Sequence, residues 1–245
     1  MTDAPLRLCL WSGPRNVSTA LMYSFAQRAD TRVVDEPLYA HYLASSGARH
    51  PGRDDVLAAQ DNDGEAVVRD LVLGPCDRPV LFMKQMAHHL ADLDWGFLER
   101  TVNVLLVRDP SQMLTSFMKN VETPTLTDTG LGMQTKLLAH LRDLGQDPPV
   151  LDSRILLEDP AGVLERLCVR IGIDWDPAML TWGAGQRAED GVWAPHWYAS
   201  VHTSTGFAPY RAKDEVVPDR LAGVLDECNV HYEELLTEAR RFVTS

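Results

Sequence analysis

The stretch LRLCLWSGPRNVSTALMYSFAQR, residues 6–28, runs from an apolar segment through a Gly-Pro-Arg turn into a segment of helical periodicity. Leu6 to Trp11 reads as a strand buried on both faces, and Val17 to Arg28 as a helix. Between them, backbone N–H groups at the helix start, at the positive end of its dipole, favour an anion. Ser18 and Thr19 add hydroxyl donors, and the Arg15 guanidinium offers a fork suited to phosphate or sulfate oxygens. The Walker A pattern is not met, because Val17 replaces its second glycine and Ser18 its lysine. Taken alone, the same residues also read as an ordinary strand-to-helix turn with a serine cap.

Further apolar runs at Thr31–Val34, Val80–Met83, Val102–Val107 and Val150–Asp152 alternate with helical patterns at Pro110–Asn120, Leu131–Leu144 and Pro160–Ile171. Two of these helices open on proline, which suits a first helical turn. The alternation predicts an α/β fold: a single domain with a central, mostly parallel sheet flanked by helices. Residues 45–79 read as surface loops around short helices, and Pro218–Phe242 returns to amphipathic helix. The stretch 181–217 carries Trp182, Trp193, Trp197, Tyr198, Phe207 and Tyr210 among glycines and prolines. It reads equally as an aromatic plug completing the core or as a lid over a ligand.

The chain has 245 residues, 45% of them hydrophobic, enough for one core. Its 23 Lys and Arg stand against 35 Asp and Glu, a formal charge of −12, which argues against nucleic acid or an anionic membrane as the main partner. An anionic ligand must then meet a local cluster of cations. Cys9, Cys76, Cys168 and Cys228 lie far apart without metal-ligand spacing and read as reduced, structural thiols. The N-terminal stretch has no long apolar run, and no run reaches the length of a membrane span, so a cytoplasmic protein is expected.

A second segment, VNVLLVRDPSQMLTSFMKN at 102–120, is a strand ending in Arg108, a turn, and a helix bearing Ser116. In a parallel sheet both strand ends share the edge where ligands bind, so Arg108 and Ser116 can face a second anionic group. Asp109 reads as the cap of the helix at Pro110 rather than a magnesium ligand, since the neighbouring arginine opposes a divalent ion.

These motifs, a strand, a [KR]xx[ST][ST] turn and a helix, then a strand ending in Arg with Ser eight residues on, resemble the sulfotransferases that use 3′-phosphoadenosine 5′-phosphosulfate (PAPS). EDPAGVLERLCVRIGI at 158–173 extends the likeness, and HTSTGFAPYR at 202–211 is a weaker echo of the family's late nucleotide-covering loop. The resemblance implies a P-loop NTPase-like fold, PAPS as co-substrate, and no metal. It implies that Arg15, Asn16, Val17, Ser18 and Thr19 surround the 5′ group and that Arg108 and Ser116 hold the 3′-phosphate. It further implies that Ser204, Thr205, Gly206 and Phe207 cover the nucleotide, with Arg211 as an additional cation.

Sulfuryl transfer needs a base for the acceptor proton and cations where charge builds up. Arg15 is the best placed cation, and Lys84, at the end of its strand, is the next. Glu36, in a Glu-Pro pair after the second strand, resembles the general base of several family members, while Asp35 reads as a cap or surface acid. A carboxylate beside cations tends toward a lowered pKa unless the site desolvates it. The cytosolic branch carries a histidine base two residues after the strand lysine, where this chain has Met86. That leaves His88, His89 and His41 as rivals to Glu36, each of which also reads as a solvated or satisfied side chain.

The leading expectation is a sulfotransferase acting on a hydroxyl or amine of a small-molecule acceptor, with a homodimer left open. Two alternatives stand beside it. A P-loop kinase or other phosphotransferase would need magnesium, and a nucleotide-binding protein would have kept the cradle and lost transfer.

Overall fold

Five strands form where the apolar runs stand: β1 (Leu6–Ser12), β2 (Thr31–Asp35), β3 (Val80–Met86), β4 (Val102–Val107) and β5 (Val150–Asp152). The computed structural model describes residues 4–212 and 214–244; Met1–Asp3, within the N-terminal stretch read for a targeting segment, lie outside the described residues. All four strand pairings are parallel, in the order β2-β3-β1-β4-β5. The apolar runs are continuous because both faces of the sheet are covered. Leu8, Leu10, Phe82, Val104 and Leu106 pack on one side with helices Ser18–Phe25 and Pro160–Ile171. Cys9, Trp11, Met83, Leu105 and Val107 pack on the other with helices Pro110–Phe117, Leu131–Asp143 and Ala222–Thr244.

Strand β1 feeds a helix that leads outward to β2, whereas the chain crosses from β3 to the other side of β1 to form β4. The connections therefore diverge between β1 and β4, which makes their carboxyl ends the switch point of the sheet. Arg15 follows one of these strands and Arg108 the other.

Strand β3 continues past the apolar run through Lys84-Gln85-Met86, so Lys84 lies inside the strand and not at its end. The stretch 181–217 acts as both plug and wall. Trp182 joins the core below the sheet, and Trp193 and Tyr198 pack with Tyr39 and Tyr42 of helix Tyr39–Ser46. Trp197, Phe207 and Tyr210 line a cavity. Two short helices, Ala194–Trp197 and Ala199–His202, and a bridge from Thr181 to Gly206 order the stretch. The four cysteines are free, and burial pushes the Cys9 thiol up to about 12. No described helix is long and apolar enough to cross a membrane.

Candidate active site

A cavity of about 990 Å³ opens along the carboxyl edge of the sheet, and residues Pro14 to Ala20 form one wall. Helix Ser18–Phe25 has Val17 at its N-cap, whose side chain makes no cap bond, so the serine-capped turn is not formed. Arg15 takes a left-handed backbone with φ 54°, an uncommon conformation for a residue with a side chain. Neighbouring groups hold it there. Arg108 Nη1 donates to the Arg15 carbonyl, Asn16 Nδ2 donates to Leu106 O at 3.1 Å, and Val17 N–H donates to Asn16 Oδ1 at 2.8 Å. Val17 itself is conventional at φ −87°, so the positive φ that glycine supplies in other phosphate loops falls here on Arg15.

Gly13 has a different task. A Cβ there would stand 2.5 Å from the Thr129 carbonyl oxygen, a backbone atom that cannot swing aside. Gly13→Ala is expected to cost about 1–3 kcal/mol through this overlap and to displace the loop. Thermal unfolding and nucleotide titration of the variant check both effects.

Arg15 Nε donates to Ser116 Oγ at 3.1 Å and Nη1 to Trp197 O at 3.2 Å, which brings the two anion motifs into direct contact. Neither Arg15 nor Arg108 ion-pairs with a carboxylate among the described residues. Burial lowers the pKa of both, and for Arg108 the charge of Arg15 adds to the effect. Asp109 and Asp152 offset that effect only in part, and two guanidiniums held close, partly desolvated and without an ion-paired carboxylate can meet a polyanion. Asp109 caps the following helix, accepting from Ser111 N–H at 2.8 Å and Ser111 Oγ–H at 2.6 Å.

Ser204, Gly206, Phe207 and Arg211 also line the cavity, while Thr205 is exposed and off its wall. The Ser204 hydroxyl is committed to the fold, accepting from Trp182 Nε1 at 3.1 Å and donating to Val201 O at 2.7 Å. Phe207 meets Trp182 edge to face, with ring centres 5.1 Å apart.

The cavity wall further contains Glu36 and Lys84. Lys84 is 1% exposed, and its ammonium donates to Asp35 Oδ1 at 2.8 Å, Glu36 Oε1 at 2.5 Å and Tyr198 OH at 2.6 Å. These use all its N–H groups, so Lys84 holds carboxylates and has no N–H left for a ligand. Asp35 is buried, not a surface acid or helix cap, because it shares that ammonium. Glu36 has φ 39° just before Pro37, fixed by Glu36 N–H donating to Lys84 O at 2.8 Å and Gln60 Nε2 donating to Glu36 O at 3.1 Å. Two of the three described non-glycine residues with positive φ, Arg15 and Glu36, thus stand in this wall. The Glu36 carboxyl is raised to about 6, not lowered: burial raises it most, Lys84 opposes, and the Asp35 charge raises it again.

His88 and His89 are buried in the same wall, not solvated. His89 lies between the rings of Tyr39 and Tyr42, with centres 4.9 and 5.0 Å away, and its Nε2 is 4.0 Å from Glu36 Oε2. Burial pushes His88 down to about 3 and His89 well below the ordinary range. His41 is off the cavity wall, with Nε2 2.9 Å from Ala91 O.

An unfolded histidine takes a proton near pH 6.5 and these folded ones do not, so stability falls with pH below that value. Both histidines therefore cost stability as the pH falls from 6.5 to 5, partly offset by Glu36, whose raised pKa acts in the opposite sense. Urea unfolding at the two pH values should show lower stability at pH 5 than at pH 6.5.

Asp35 and Tyr39 are the site neighbours that motif reading missed, whereas Trp193 and Tyr198 belong to the aromatic stretch it read as a plug or a lid. A usable signal existed for one of them. Asp35 pairs in register with Lys84 across β2 and β3, and opposite charges at paired positions on adjacent strands point to contact. Among the described residues no group of three or more His, Cys, Asp or Glu side chains could hold a metal ion.

A parallel sheet covered by helices on both faces, with two guanidiniums, a buried carboxylate and an ammonium in one cavity at its switch point, defines an α/β protein of P-loop NTPase-like fold. The chain belongs to the sulfotransferase domain family, whose model matches residues 6–225.

Branched-chain-amino-acid aminotransferase-like protein 1 of Arabidopsis thaliana is 43% identical over 199 residues, covering 81% of this chain and 36% of its own length. Protein 2 of the same name and organism is 37% identical over 219 residues, covering 89% and 39%. The chain thus spans less than two fifths of the length of these curated relatives. Among solved structures, a sulfotransferase from Alicyclobacillus acidocaldarius superposes with a TM-score of 0.53 at 14% identity, covering 98% of this chain and 96% of that one. The sulfotransferase domain from the curacin biosynthetic pathway gives 0.52 at 16% identity, covering 95% and 98%. At these identities the likeness is one of fold.

Proposed function

We propose that this chain moves the sulfuryl group of PAPS to a hydroxyl or amine of a small-molecule acceptor, without a metal ion. The observation that carries this reading is the pair of guanidiniums, Arg15 and Arg108, sharing a cavity with Glu36 and lacking carboxylate partners among the described residues. A donor with anionic groups at both its 5′ and 3′ positions matches two such cations.

Glu36 Oε2 accepts no hydrogen bond from a described residue, and its nearest ring nitrogen, on His89, is 4.0 Å away. That oxygen takes the acceptor proton as the acceptor-to-sulfur bond forms and the bond from sulfur to the 5′-phosphate oxygen breaks. Arg15 meets the negative charge that grows on the departing phosphate oxygen, with the uncapped start of helix Ser18–Phe25 beside it. Lys84 holds Glu36 in place. Ser18 and Thr19 line the 5′ side of the cradle, and Arg108 and Ser116 receive the 3′-phosphate. The aromatic wall of Tyr39, Trp193 and Trp197 suits a compact, largely apolar acceptor.

Calorimetric titration with 3′-phosphoadenosine 5′-phosphate (PAP) in the presence of a chelator tests the reading, with ATP and magnesium as the contrast. Micromolar binding of PAP with much weaker binding of ATP is the expected result. Binding of ATP alone, and only with magnesium, would overturn it in favour of a phosphotransferase.

A further inference from the structure

We propose that Asp35 and Tyr198 are a positioning pair that keeps Glu36 able to take a proton, by claiming two of the three N–H groups of Lys84 so that its ammonium cannot turn fully to Glu36. The proposal rests on the reading of Glu36 as the base of sulfuryl transfer.

The network is closed at every atom but one. Tyr198 OH accepts from Lys84 Nζ at 2.6 Å and from Trp193 Nε1 at 3.0 Å, and donates to Asp35 Oδ2 at 2.7 Å. Asp35 therefore has donors on both oxygens: Lys84 on Oδ1, and Tyr198 with Gly191 N–H, at 3.2 Å, on Oδ2. Glu36 has a donor on Oε1 alone. Hydrogen bonds to a carboxylate favour its charged form, so the oxygen left open to a proton is Oε2 of Glu36.

Charge leads to the same assignment. The titratable groups facing Glu36 are Asp35 from β2, Lys84 from β3, His88 and His89 from the turn after β3, Tyr39 from the helix after Pro37, and Tyr198 from the 181–217 stretch; Arg15 lines the same cavity. Burial keeps the histidines neutral and the tyrosines protonated. Asp35, Glu36 and Lys84 are each 6% exposed or less and together carry one negative charge in excess when all are ionised. A buried surplus of negative charge is relieved by taking up a proton, and the open oxygen of Glu36 is where it goes. The loop-borne Tyr198 and Trp193 thereby become part of the apparatus of the reaction, through Glu36 and not by touching the acceptor.

The test is a titration of the glutamate side-chain carboxyl carbons by ¹³C NMR in the whole, donor-free protein, with Glu36→Gln identifying the Glu36 signal. In the wild type that signal should titrate near pH 6, following its carboxyl's raised value. Asp35→Asn is expected to move the midpoint down by about one pH unit or more, because the ammonium then pairs with Glu36 alone. Tyr198→Phe keeps the ring and its packing and is expected to move the midpoint the same way by about half a unit, which keeps the question answerable if Asp35→Asn does not fold. A Glu36 midpoint that stays at its wild-type position in the folded variants overturns the proposal. PAP titration of the same proteins separates the two levels. Failure of the wild type to bind PAP overturns the functional reading on which the proposal rests, whereas PAP binding with an unmoved midpoint overturns the pair alone.

Discussion

Glu36→Gln is expected to lower the rate of sulfuryl transfer by about 10²–10⁴-fold while leaving PAP affinity nearly unchanged. Glutamine keeps the shape of the side chain, so Pro37 and the left-handed backbone of residue 36 are undisturbed. It cannot take the acceptor proton. Wild-type transfer should fall as the pH drops through about 6, the position to which burial, opposed by Lys84 and supported by Asp35, raises the Glu36 carboxyl. The sign follows from the chemistry: the base works only when deprotonated, so activity is present above that pH and lost below it. In the variant this acid limb should disappear along with the rate. Single-turnover transfer of radiolabelled sulfur to the wild-type acceptor, measured across the pH range, reads both effects. Undiminished transfer in Glu36→Gln would remove Glu36 from the role and return it to His88 or His89, although burial holds both neutral and leaves His88 a weak base with a pKa of about 3.

Arg108→Ala is expected to weaken PAP binding by about 30- to 150-fold, the equivalent of about 2–3 kcal/mol for a charge-assisted contact. The loss has two sources. One is the cation offered to the 3′-phosphate, and the other is the bond from Arg108 Nη1 to the Arg15 carbonyl that holds the neighbouring loop in its left-handed turn. Arg108→Lys should fall between the two, because an ammonium keeps the charge and loses the fork. Comparing PAP with adenosine 5′-phosphate isolates the 3′ contact: the first ligand should lose most of its affinity in Arg108→Ala and the second far less. Equal losses for both would mean that Arg108 acts only through the loop.

The placement of β1 and β4, the proline-led helices at Pro110 and Pro160, and the cap at Asp109 are all legible in the sequence. Strands covered on both faces need unbroken apolar runs, and helix starts need prolines and caps, so each of these features is written in a few consecutive residues. The pair of anion motifs was legible for the same reason. Arg15 follows one strand and Arg108 another, and a parallel sheet puts both strand ends at one edge. Reading failed where polar residues were buried. The apolar run of β3 ends at Met83, where Lys84 and Gln85 break it, yet both lie within the strand and are fully buried.

What the sequence determined by itself, then, is the α/β sheet and the two arginines at its edge, because local periodicity and strand ends encode them. Only the tertiary structure decided the surroundings of Glu36, the proposed base. The residues that govern it come together from β2, β3 and a loop near the end of the chain, with Tyr198 lying 163 positions beyond Asp35. Burial was equally beyond local reading. Lys84 reads in the sequence as a strand-end cation and Asp35 as a cap or surface acid, yet in the folded chain the lysine is 1% exposed and bonded to both carboxylates. Lys84 gives one N–H to each carboxylate, but Tyr198 and Gly191 supply further donors to Asp35 alone, which leaves Glu36 as the buried acid with an open oxygen.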